Sequence, residues 1–405
     1  MIAGDPGAVS NPIGSGAVLA CALAYYLLGC VLLVAVGTSF ATLHAFAAFI
    51  TLAIVAAANQ LIPVLTGVPP KPPGEVIAAS IPLVAGFALL ILGFAGLPTF
   101  TAAAVLLGVG SIGWAVWMIL RVVHVKLERA IAGVFVLAAI GFVSAALIGA
   151  GMAVALGTSH FVTLLSLAPV HAALAIGAFA SCMIVAISYR FVPMFSLSHA
   201  SVRQLEKAPQ WLVPLAAFGG CAFFGLLSMG SLRVAAGIAF CAMLISANTH
   251  LRTLRSRMRR RFDASILYAT VAWGFGLTGA ALAALSDTSP HITVAAITCA
   301  VLGWISISIL GYAYKIVGFL AWETAKARAP LAPLPPLSKA LPERTTRVAL
   351  WLLGIGTALT AALPLTPFPI VLGAAVYLLG AVCAAGALFN LTATYLGTPH
   401  AAYST

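Results

Sequence analysis

The chain has 405 residues, of which 62% are hydrophobic and 7% charged, with a net charge of +12 and a mean hydropathy of +1.13. A soluble globular domain carries about 25% charged residues, so this composition excludes one and points to an all-α integral membrane protein. A basic balance suggests nucleic acid in a soluble chain. Here the charges sit in loops between apolar runs, which excludes nucleic acid and assigns them to topology.

In chain order, residues 1–16 are polar and lack the basic start of a secretory signal, so the first apolar run, 17–36, is expected to be retained. Eleven more follow, at about 42–64, 76–97, 99–120, 130–156, 161–189, 211–229, 231–250, 265–285, 291–314, 346–363 and 369–396. Each is near the length that spans a bilayer, which predicts twelve transmembrane helices.

A stretch recurs at the ends of the second, sixth and tenth runs: Asn59-Gln60-Leu61-Ile62-Pro63-Val64, Tyr189-Arg190-Phe191-Val192-Pro193-Met194 and Tyr314-Lys315-Ile316-Val317-Gly318-Phe319. Each is expected to close its helix. The spacings of 130 and 125 residues are too long for a solenoid and fit a repeated four-helix block. Pseudo-repeats are therefore expected over about 17–121, 130–250 and 265–396, within one membrane domain.

Loop charge tests that topology. Nineteen Lys and Arg residues fall on one side and only Arg233 on the other, which predicts cytoplasmic termini in a bacterial inner membrane. The basic loop 252–263 reads as a topology anchor drawn to anionic lipid or as a partner site. The proline-rich loop 326–345 reads as a cytoplasmic spacer.

All eight acids lie in loops or at helix ends, so no carboxylate marks an ion-coupled transport path. The seven cysteines sit in apolar runs without CxxC spacing and read as buried small residues. Of the histidines, His124, His199, His250 and His400 read as solvated interface or terminal residues, whereas His44, His160, His171 and His291 belong to the outer half.

His44 lies 16 residues before Gln60 and His171 lies 19 before Arg190. At 1.5 Å per residue they stand roughly 24 and 28 Å from the inner helix ends. Two imidazoles at one depth on equivalent helices can hold a haem iron or a copper ion. They can also each bond a neighbouring helix and bind nothing. His291 and Cys299, on the tenth run, are weaker ligand candidates, and Cys299 also reads as packing. Gln60, Arg190 and Lys315 either snorkel to the interface or converge on an anion or lipid headgroup.

The stretches around His44, His171, Tyr189 to Phe195, Arg259-Arg260-Arg261-Phe262-Asp263, Gly303-Trp304 to Val317 and Phe319-Leu320-Ala321-Trp322 resemble a bacterial twelve-helix branch of the haem-copper oxidase and nitric oxide reductase subunit I superfamily. The resemblance implies three pseudo-symmetric four-helix arcs, with His44 standing where a haem ligand does and His171 where a copper ligand does. The tandem His-His, the His-x-His of helix 10 and the His-x-x-x-Tyr of helix 6 are missing, so a complete oxygen-reducing centre is not expected. What remains is a protein binding haem b or copper, in electron transfer, nitric oxide handling or metal delivery. The alternatives are a cofactor-free transporter or channel, and an accessory subunit that docks in a membrane complex or homo-oligomer.

Overall fold

A computed structural model describes residues 12–66, 69–123, 129–160, 162–198, 232–258, 262–285, 289–328, 333–366 and 369–396. Among them there is no strand. The long helices are α1 (Pro12–Val36), α2 (Phe40–Thr66), α3 (Pro73–Phe94), α4 (Phe100–Val123) and α5 (Arg129–Thr158). Next comes α6, one rod built of Ala168–Ala173, the π-helical Leu174–Ser181 and Cys182–Ser196. They are followed by α7 (Leu232–Arg255), α8 (Ala264–Ala284), α9 (Pro290–Thr298, π-helical Cys299–Ser306, Ile307–Arg328), α10 (Glu343–Ala362) and α11 (Val371–Leu396).

Ten of these helices are long and apolar enough to cross a membrane, and α7 is the one that falls outside the ten. The chain is a multi-pass, all-α membrane protein. In a bilayer every backbone group must be satisfied within the protein, which is why an apolar chain of this kind folds as helices. The expected run 211–229 lies outside the described residues; each of the others corresponds to one helix.

Helix starts follow local chemistry. Pro73 opens α3, the Asp263 side chain accepts from Ser265 N at the start of α8, and the Ser289 hydroxyl accepts from His291 N before α9. Gly37 and Gly96, with φ of +65° and +98°, make the tight turns after α1 and α3, where a side chain would strain the backbone.

Two of the three repeated stretches close their helices as expected: α2 ends at Thr66 and α6 at Ser196, two residues beyond Val64 and Met194. The prolines Pro63 and Pro193 lie in the last turn. The third does not, since α9 runs past Gly318 to Arg328.

Consecutive helices pack as neighbours from α1 to α6 and from α7 to α9, α10 pairs with α11, and α11 packs back on α1 and α9. The second, sixth and tenth expected runs become the interior. The most apolar windows of α2 and α9 are 67% buried and that of α6 is 50% buried, against 39–44% for the other spans. Glycines let α10 and α11 approach closely: a Cβ on Gly356 would meet Tyr377 N at 2.5 Å, and one on Gly380 would meet Leu353 N at 2.7 Å. Buried tyrosines add cross-links, Tyr268 donating to Thr346 O at 2.9 Å and Tyr377 to Leu302 O at 3.3 Å.

The internal repeat reappears in the backbone. The π-helical segments of α6 and α9 each span eight residues, and Leu174 and Cys299 stand 125 positions apart, as Tyr189 and Tyr314 do. An i→i+5 segment of this kind accommodates an extra residue and often sits at a functional site. The two segments touch: Trp304 Nε1 donates to Ser181 Oγ at 2.9 Å. Each also seats an aromatic ring on the preceding helix, Phe179 on Phe142 and Trp304 on Trp273, with ring centres 4.5 Å apart in both pairs.

Candidate metal centre

The structure brings His44 and His171 beside each other, with ring centres 6.2 Å apart and planes inclined by 20°. Sequence position alone leaves a three-residue mismatch between them, about 4.5 Å of α-helical rise. The π-helical turn after His171 packs more residues per turn and takes up part of that surplus.

Each ring is fixed by a backbone carbonyl. His44 Nδ1 lies 2.7 Å from Phe40 O in the first turn of α2, and His171 Nδ1 lies 2.8 Å from Ala145 O on α5. A carbonyl oxygen only accepts, so each Nδ1 carries the hydrogen and donates. In the neutral imidazole this leaves the Nε2 lone pair available on both rings. Metal-ligating histidines are usually oriented by such a bond from the other nitrogen.

The surroundings are built to hold the rings. Gly149 of α5 makes room for His171, since a Cβ there would lie 2.8 Å from Cε1 and 3.1 Å from Nδ1. The Phe94 ring stands 5.1 Å from His44 and also packs against Phe40 and Phe100, which walls the pair with apolar surface.

The other expected ligands stand apart. His291 is exposed at the start of α9, with its backbone N–H on the Ser289 hydroxyl. Cys299 is 2% exposed in an apolar cluster with Ala295 and Ala361. His160 turns back on its own loop, Nδ1 donating to Thr158 O at 2.7 Å. Among the described residues no three His, Cys, Asp or Glu side chains are grouped to hold a metal ion.

Of Gln60, Arg190 and Lys315, two lie among the described side chains. Lys315 is ion-paired with Asp263, the residue that caps α8, and its Nζ lies 5.4 Å from the centre of the Phe195 ring. Gln60 is buried, and the Arg190 side chain lies outside the described residues. The pairing of Lys315 links α9 to the start of α8, a role that charge counting by loop could not reveal.

His250 departs from the solvated position its sequence suggests. It is 6% exposed and faces α8, with Nε2 3.3 Å from Thr270 Oγ1. It sits one turn before Arg255 and reads as a loop neighbour by position, yet α7 turns it inward. His124, His199 and His400, placed in the same group, lie outside the described residues.

In comparisons with known proteins, no family model matches the chain and no curated sequence matches it.

Proposed function

We propose that the chain is an electron-transfer protein of the membrane whose His44 and His171 ligate one metal, either the iron of haem b or a copper ion. The observation that carries this reading is the pair itself, two imidazoles whose Nδ1 atoms are both committed to carbonyls. At 6.2 Å the rings are too far apart for face contact. The Nε2 lone pair of each ring would hold the metal.

The donor set narrows the metal. Structural zinc takes four protein ligands, and no third ligand is grouped with this pair among the described residues. A haem iron takes only two protein ligands, because the macrocycle supplies four, and copper accepts imidazole readily. The group would supply a one-electron couple. Both imidazoles would hold the group, which would then serve electron transfer. The residues of the chain supply the rest: Phe40 and Ala145 carbonyls orient the rings, Gly149 admits His171, and Phe94 limits water.

The same reading includes twelve helices in three arcs related to haem-copper oxidase subunit I, with cytoplasmic termini in a bacterial inner membrane. The deep burial of α2, α6 and α9 and the matched π-helical segments support it. The test is a visible spectrum with metal analysis of the purified protein. About one haem or one copper per chain is expected, lost in both His44→Ala and His171→Ala. A colourless, metal-free protein of full stability, prepared with iron and copper supplied, would overturn the proposal.

A further inference from the structure

A second polar centre lies well away from the histidine pair, between α6, α7 and α8. Tyr189, which lines it, stands eighteen residues beyond His171 on α6, about 25 Å along the rod. The centre is a cavity of about 20 Å³ lined by Ser188, Tyr189, Ser246, Thr249, His250 and Trp273, among others. Space of this size holds one water molecule or two.

Several of the lining polar atoms lack protein partners. His250 Nδ1, Ser246 Oγ, Trp273 Nε1 and the Tyr189 hydroxyl are all buried without a hydrogen bond, the first three on residues 6%, 1% and 4% exposed. Buried polar atoms in proteins are nearly always paired, so four orphans around one cavity require an explanation. The tautomer of His250 follows from its neighbour. Thr270 Oγ1 donates its hydrogen to Ile266 O at 2.8 Å, so it accepts from His250 Nε2. Nδ1 therefore presents a lone pair, while Trp273 Nε1 presents a hydrogen and Ser246 can do either.

One molecule complements that set. It must accept from the indole N–H and donate to the imidazole, be no larger than two heavy atoms, and be neutral. Among the described residues the titratable groups lining the cavity are His250 on α7 and Tyr189 on α6. We propose that this cavity is a water-binding site, with bound water bridging Trp273 and His250 and tying α6, α7 and α8 together. The bound water makes His250 a hydrated imidazole inside the bundle, chemically distinct from the carbonyl-locked pair of His44 and His171. It is a place where a proton can move between water and an internal base.

Solid-state NMR of the full chain in lipid bilayers, with histidine labelled with nitrogen-15, tests this. Water-to-imidazole magnetisation transfer is expected at His250, building up within about threefold of the rate at the exposed His291. The His250 nitrogen shifts are expected to be those of the Nε2–H tautomer, and His250→Asn removes that signal alone. Ser246→Val fills the cavity and is expected to abolish the transfer and lower Tm, because His250 loses its bridging partner. No transfer at His250, an Nδ1–H tautomer, or a raised Tm in Ser246→Val would each overturn the proposal.

Discussion

Gly149→Ala tests the metal centre without touching a ligand. The new methyl would lie 2.8 Å from His171 Cε1 and 3.1 Å from Nδ1. Ordinary carbon contacts begin near 3.5 Å, so the ring must retreat by about 0.7 Å. The Nδ1 bond to Ala145 O, now 2.8 Å, would then stretch toward about 3.5 Å, where a hydrogen bond is lost. Losing it costs about 1 kcal/mol, and replacing a helical glycine by alanine returns about 1 kcal/mol. Net stability should therefore change little, while displacement of an orienting bond lowers metal affinity by about 10–100-fold. The assay is a competitive haem or copper titration of the purified protein beside a thermal melt. Gly133→Ala on the same helix, where a Cβ would meet nothing within 4 Å, is the control and should bind as the parent does. Parental affinity in Gly149→Ala, or an equal loss in Gly133→Ala, would refute the reasoning.

Other perturbations test the frame around that site. Trp304→Phe keeps the ring against Trp273 but removes the donor to Ser181, and is expected to cost about 0.5–1.5 kcal/mol in a denaturation series. Lys315→Met removes the ion pair that Lys315 makes with Asp263 at the start of α8; the pair is 21% and 14% exposed, so solvent screening holds the expected loss to about 1–3 kcal/mol, read as a lowered Tm. Gly356→Leu drives a side chain into the Tyr377 backbone and is expected to separate α10 from α11, seen as loss of folded protein on size exclusion, whereas Gly74→Ala, facing open space, should behave as the parent.

The parts of this protein that sequence makes legible are those set by composition and period. Apolar length locates the spans, and the 125-residue repeat marks the helices that become α6 and α9. His44 and His171 stand out because polar groups in a span are costly and normally kept for a purpose. That they meet depends on the π-helical turn in α6, which no residue type announces. The fate of Lys315 depends on Asp263, 52 positions away and joined to it by packing of α8 on α9. His250 shows the same limit: its distance from a basic loop suggests solvent, while the rotation of α7 about its axis places it against Thr270. The prolines of the repeated stretches do mark the ends of α2 and α6, whereas Gly318 does not stop α9.

The account rests on one metal shared by two imidazoles, and X-ray absorption at the metal edge measures that directly. The metal-loaded protein is expected to show two imidazole nitrogens at about 2.0 Å, and no bound metal in either His44→Ala or His171→Ala. A spectrum with no imidazole scattering, or one unchanged by both substitutions, would contradict it.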